Sequence, residues 1–112
     1  MLLIMFSNFT KITLSIILND VKECILNHCS PLKFIVIGSN KNGIISETDI
    51  DIIIIVKDNI DLFTLSQEIA PSIRDLIVKY NFLISVFPIS EKYYILQNTQ
   101  FISNVVKGGI EF

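Results

Sequence analysis

The feature that most constrains this chain is the segment "DIDIIIIV", Asp49 to Val56, an apolar run opened by two carboxylates. A short run of this kind predicts a strand that is buried on both faces, as in a parallel or mixed sheet covered by helices. We therefore expect it at the centre of a sheet. Side chains alternate between the two faces of a strand, so Asp49 and Asp51 point the same way, with Cα atoms roughly 6.5–7 Å apart.

The sequence before this strand predicts one helix and one further strand. From Asn8 to about His28, apolar residues recur every three or four positions, which is typical of an amphipathic helix, and Pro31 ends it. The apolar run Leu32–Ile37 lies between Pro31 and Gly38 and predicts a second buried strand. A polar loop then leads to Asp49.

The sequence after it predicts a helix, a strand and a last helix. Apolar residues have helical spacing over Ile60–Tyr80, where Pro71 should kink or divide the helix. The segment Phe82–Ser90 predicts a third strand, in which Pro88 marks the end or an edge position. Ser90 can cap the last helix. We expect an α/β (α+β) fold, with a mixed β-sheet of three or more strands flanked by helices, in a single domain over residues 1–112.

Composition narrows the function. Hydrophobic residues make up 51% of the 112 residues and charged residues 18%, so we expect apolar surface that is covered in an oligomer or a complex. The net charge is −2 and the basic residues are scattered, which disfavours nucleic-acid binding. No signal-peptide pattern or membrane-length apolar window is evident, so we expect a cytoplasmic protein that does not enter the membrane. Cys24 and Cys29 are interpreted as reduced structural thiols.

The two carboxylates need a counter-charge. Crowded at the end of an apolar strand, they repel each other and lose hydration, which a divalent cation would offset. Mg²⁺ suits carboxylate, phosphate and water ligands and commonly shares its shell with a substrate phosphate. Gly38 and Ser39 follow the preceding strand, where a close backbone approach, N–H groups and a hydroxyl could hold phosphate. Together, Gly38, Ser39, Asp49 and Asp51 outline a site for Mg²⁺ and a nucleoside triphosphate.

A Gly-Ser pair after one strand and Asp-Ile-Asp opening the next resembles the minimal nucleotidyltransferase domain of the DNA polymerase beta-like superfamily. Gly43 and Thr48 match further positions of that pattern, and the resemblance covers about Cys24 to Phe112. It implies nucleotide binding by Gly38 and Ser39 and a catalytic Mg²⁺ site at Asp49 and Asp51. It also implies an antitoxin that transfers AMP from ATP to a HEPN-domain partner protein.

One departure from the family pattern leaves an alternative open. Active members carry a third carboxylate on the neighbouring strand, but residues 80–90 contain no acid, and Leu83 or Ser85 stands at that place. Glu91 is the nearest acid beyond it, in the predicted first turn of a helix. The chain is therefore expected to be either a transferase or a catalytically silent module of the same fold that binds and blocks its partner.

Overall fold

The structure, a computed structural model, describes residues 8–37, 49–96 and 109–112, with side chains from Leu14 onward. Its elements in chain order are listed here: helix α1 (Asn8–Leu26), strand β1 (Lys33–Ile37), strand β2 (Asp49–Val56), helix α2 (Leu62–Tyr80), strand β3 (Leu83–Ser90), helix α3 (Glu91–Leu96) and strand β4 (Gly109–Glu111). The predicted mixed α+β architecture and the three predicted strands are confirmed.

The four strands form one mixed sheet in the order β3-β2-β1-β4. Strand β2 is antiparallel to β1 and parallel to β3, and β4 runs antiparallel to the other side of β1. The Asp49–Val56 strand is therefore interior, as its apolar sequence predicted. Ile53 and Ile55, whose exposure would have contradicted that placement, are each 1% exposed.

The two faces of the sheet carry different layers. Helices α1 and α2 cover one face, where the even-numbered β2 residues Ile50, Ile52, Ile54 and Val56 join the main core. On the other face, Ile35, Ile53 and Ile55 form a smaller buried cluster, against which Tyr94 of α3 packs. Because β2 is apolar on both faces, both layers can bury against it.

Local hydrogen bonds and backbone conformation determine where the helices α2 and α3 begin or end. The side chain of Asp61 accepts hydrogen bonds from the Phe63 and Thr64 backbone N–H groups and so caps the start of α2. Asn81 ends α2 with a left-handed backbone at φ 51°. Ser90 Oγ accepts a bond from the Tyr93 N–H, which confirms its predicted role at the start of α3.

Two details differ from the sequence-based expectation, and one agrees with it. Pro71 does not divide α2, because apolar residues on both sides of it, Leu65 through Ile73, pack into the same core and hold one continuous helix. Strand β4 was not predicted, since its three residues, the first of them a glycine, are too short for a periodic signal. Pro88 lies inside β3, which is an edge strand, so the predicted edge position of this proline is confirmed.

Two side-chain groups fix the layers to one another. The Phe34 and Phe112 rings lie 5.6 Å apart, with Lys22 Nζ of α1 5.1 Å from the Phe34 ring centre. The Tyr80 hydroxyl donates a hydrogen bond to the Asp20 carboxylate and so joins α2 to α1. Within the described ranges, no helix has both the length and the apolar character that crossing a bilayer requires.

Candidate functional site

The site begins where β2 enters the sheet. Asp49 and Asp51 are its first and third residues, and both are half-buried, whereas Ile50 between them is 1% exposed on the helix-covered face. The two carboxylates therefore project from the opposite face, as the strand alternation predicted. This face carries the smaller apolar cluster, with Ile53 following Asp51 in the same row.

The strand register shows which residues of β1 and β3 lie beside Asp49 and Asp51. Asp51 is the Cα partner of Ile37 on β1 and of Ser85 on β3, while Asp49 is paired with Leu83. Adjacent strands lie about 4.8 Å apart. Ile37 is the last described residue of β1 and immediately precedes Gly38 in the sequence. Gly38 and Ser39 themselves lie outside the described residues.

The electrostatics of the pair match a cation site. Burial raises the pKa of the Asp51 carboxyl above its ordinary value, and repulsion from Asp49 raises it further. The salt bridges between described residues, Lys33 with Glu111 and Lys79 with Asp20, involve neither carboxylate. Within the described part of the chain, the pair therefore has no ion-pair partner.

Lys33 is the basic residue of β1, and its position shows why it does not neutralise the pair. It is paired with Ile55, four residues along β2 from Asp51, which corresponds to about 13 Å. At that separation, exposed charges are largely screened at physiological ionic strength. Its ammonium group instead lies 2.9 Å from Glu111 and 5.5 Å from the Tyr94 ring centre.

Uncharged residues stand where active members of the family that the sequence resembles carry a third carboxylate. Strand β3 contains no acid, and the residues opposite the pair are Leu83 and Ser85, which are the positions predicted from the sequence. Glu91 cannot substitute for the missing acid. It follows Ser90, the partner of Val56, and so lies at the opposite end of the sheet, about 20 Å along the strand from Ser85.

These residues fit a single magnesium ion better than two. Asp49 and Asp51 supply two hard oxygen ligands on one face, and Mg²⁺ commonly completes its shell with water and substrate phosphate. Across residues 8–37, 49–96 and 109–112, no cluster of three or more His, Cys, Asp and Glu side chains is arranged to hold a metal ion. Two carboxylates alone would leave most positions of a Mg²⁺ shell to other ligands.

Other chemistry-bearing residues lie away from the pair. His28 and Cys29 border a surface depression that the start of α2 also lines, with Asp61, Thr64 and Glu68. Burial raises the pKa of the Cys29 thiol, with a smaller effect of Glu68 in the same direction, so this thiol is weakly nucleophilic. Cys24 and Cys29 are both free, as predicted.

Comparisons of the chain with protein-family models, with curated proteins and with solved structures give no significant match. The resemblance to nucleotidyltransferases therefore stays a prediction from the Gly-Ser and Asp-x-Asp residues of the sequence.

Proposed function

We propose that this chain is a protein of the minimal nucleotidyltransferase type that binds a nucleoside triphosphate with Mg²⁺ through Gly38, Ser39, Asp49 and Asp51. The observation that carries the proposal is the register that places Asp51 beside Ile37, the last described residue before Gly38. Two half-buried carboxylates with a raised Asp51 pKa form a pair whose repulsion a divalent cation would relieve.

In this role Asp49 and Asp51 hold Mg²⁺, and the Gly38 and Ser39 backbone and hydroxyl hold phosphate. When bound there, Mg²⁺ would supply positive charge to the phosphate oxygens during an in-line displacement. The proposed reaction transfers AMP from ATP to a hydroxyl of a HEPN-domain partner protein, as an antitoxin would do in the cytoplasm. The acceptor oxygen attacks the α-phosphorus, pyrophosphate leaves, and the acceptor proton passes to solvent.

A second candidate function is favoured by the register of β3. Two-metal transfer uses carboxylates to hold both ions and to orient the acceptor, and here Ser85 and Leu83 stand opposite the pair. A chain with two carboxylates would keep a Mg²⁺–nucleotide site and lose most of the rate. In this candidate function the protein neutralises the same partner by occlusion.

Calorimetric titration of the full chain with ATP in the presence of Mg²⁺ tests nucleotide binding, which both candidate functions include. Weak Mg²⁺-dependent binding is expected, and Asp51→Asn should reduce it because one of the two ligands is lost. Asp75→Asn, an exposed carboxylate on α2, is the matched control and should leave binding unchanged. A folded chain that binds no nucleoside triphosphate would refute the proposal.

Incubation with radiolabelled ATP, Mg²⁺ and a candidate HEPN partner separates the two candidates. Label on the partner that Asp51→Asn abolishes would support the transferase and exclude the silent module. Nucleotide binding without label, together with neutralisation of the partner by both wild type and Asp51→Asn, would support occlusion.

A further inference from the structure

We infer that strand β3 is a self-association edge, through which two copies of this chain join their sheets in antiparallel fashion with a two-fold axis at Ser85. Strand β3 is the last strand on its side of the sheet, and no described residue pairs with its outer side. An edge strand presents unpaired N–H and C=O groups, which recruit another strand unless charges, prolines or bulges prevent it.

Strand β3 lacks the charged side chains that usually keep an edge strand from pairing with another chain. None of the eight residues Leu83–Ser90 is charged, so a copy of the same strand meets no like charge when it pairs. The opposite edge differs, since Glu111 of β4 and Lys33 of β1 form a salt bridge there. This difference in charge favours β3 as the edge that pairs with itself.

Pro88 is the one residue of this edge of the kind that opposes pairing, and because it lies three residues from Ser85 it leaves the main-chain groups around the axis free to pair. The parallel ladder with β2 continues past Pro88, which has no N–H to donate, so the main chain of Pro88 faces outward. Strand residues alternate, and Ile84 and Val86 therefore face outward as well. A two-fold axis at Ser85 pairs Ile84 with Val86 of the second copy, which satisfies the outward N–H and C=O groups of both residues.

With the two-fold axis at Ser85, the side chains of the two strands also fit each other. Leu83 and Phe87, which are 56% and 47% exposed, become opposite partners across the axis. On the helix-covered face, Ile84 and Val86 border a groove with the α2 residues Ile69, Ile73 and Ile77. An added strand that is apolar on both faces fits between these surfaces, and β3 itself is such a strand. The occupant favoured by these observations is a second copy of the chain.

The dimer also joins the two candidate sites on one face. Leu83 is the partner of Asp49, and in this register Phe87 of the second copy lies beside Leu83. The second copy thus adds an aromatic ring to the surroundings of the carboxylate pair, two strands away from Asp49.

A charge-swap experiment on the full chain tests the interface. Wild type should sediment at twice the 12.7 kDa of one chain. Ser85→Lys and Ser85→Glu each place like charges opposite each other across the axis, so each should weaken dimerisation on the order of tenfold or more. An equimolar mixture of the two variants should recover the dimer because the opposed charges are then of opposite sign.

Gln67→Lys is the matched control, because it adds one charge on an exposed α2 position that does not border the groove, and it should remain dimeric. Circular dichroism checks that every variant is folded. A monomeric wild type would overturn the inference, as would a dimer that both Ser85 variants leave intact. Folded Lys and Glu variants that fail to pair when mixed would overturn it too.

Discussion

Replacing Asp51 by asparagine should make the protein more stable at neutral pH. Burial and the neighbouring Asp49 raise the Asp51 pKa, so the folded state disfavours the charged form of this carboxyl. A stabilising effect is the opposite of what most point substitutions cause. It would indicate that the pair is retained for a purpose other than folding.

The magnitude follows from the strand geometry. If the two parallel side chains keep their charges at roughly the Cα separation of 6.5–7 Å, the charges repel by about 0.6 kcal/mol in water and about 2.4 kcal/mol at an effective dielectric constant of 20. Asp51 is half-buried, so solvent screening keeps the effect toward the lower end of this range. We expect a gain of about 1 kcal/mol, equivalent to a melting temperature higher by about 3–6 °C in a domain of this size.

The direction of the Asp51 pKa shift determines how the stability difference between wild type and Asp51→Asn changes with pH. Above the raised folded pKa of Asp51, the wild type carries the full penalty, and Asp51→Asn shows its full gain. As the pH falls through the folded pKa and then below the unfolded value of about 3.9, both states of the wild type become protonated, and the difference between the proteins disappears.

Thermal unfolding of wild type, Asp51→Asn and the control Asp75→Asn, at pH 7 and near pH 3, measures this effect. Added Mg²⁺ should stabilise the wild type more than Asp51→Asn, because only the wild type keeps both ligands. An Asp51→Asn protein that melts lower than wild type at pH 7, or a gain that persists undiminished near pH 3, would refute the electrostatic argument.

Three further substitutions test the packing and should each be followed by denaturant unfolding. Ile54→Ala should cost about 2–5 kcal/mol, since this side chain is fully buried in the main core and its loss leaves a cavity. Tyr80→Phe should be destabilising because the Asp20 carboxylate loses its hydrogen-bond donor. Asp61→Ala should cost about 1 kcal/mol through loss of the α2 N-terminal cap. A change below a few tenths of a kcal/mol in any of these would contradict the corresponding contact.

The sequence predicts a strand when burial on both faces requires the strand to be apolar along its length. The segment Asp49–Val56 is apolar on both faces because β1, β3 and two layers surround it, so its sequence reports its interior position directly. Strand β4 could not be predicted in this way, since its three residues are held by pairing with β1 and by the contact between Phe112 and Phe34. Such long-range contacts leave no periodic pattern in the sequence.

The candidate site was predictable to a similar extent. Strand alternation was sufficient to place Asp49 and Asp51 on one face, and the structure agrees. Which residue of β3 stands opposite each carboxylate depends on strand register, which the sequence narrowed to Leu83 or Ser85. The parallel pairing assigns one to each carboxylate, Ser85 to Asp51 and Leu83 to Asp49. The same register excludes Glu91 as a third ligand beside the two carboxylates. Glu91 follows the last residue of β3, which pairs with Val56 at the end of β2 far from Asp49 and Asp51.

Ser85 connects the two proposals, because an acid at this position would affect both. Next to Asp51 it would supply a third ligand, whereas at the two-fold axis it would oppose an identical carboxylate of the second copy. We therefore expect Ser85→Asp to bind Mg²⁺–ATP more tightly than wild type and to be predominantly monomeric, with Ser85→Asn, a neutral side chain of similar size, remaining dimeric. Calorimetry and sedimentation of the same samples measure the two effects. A dimeric Ser85→Asp protein would contradict the placement of the axis, and unchanged Mg²⁺–ATP affinity in a folded variant would contradict the placement of the metal. If both effects occur, the uncharged residue that leaves the proposed metal site with two carboxylates is also the residue that permits the sheets to join.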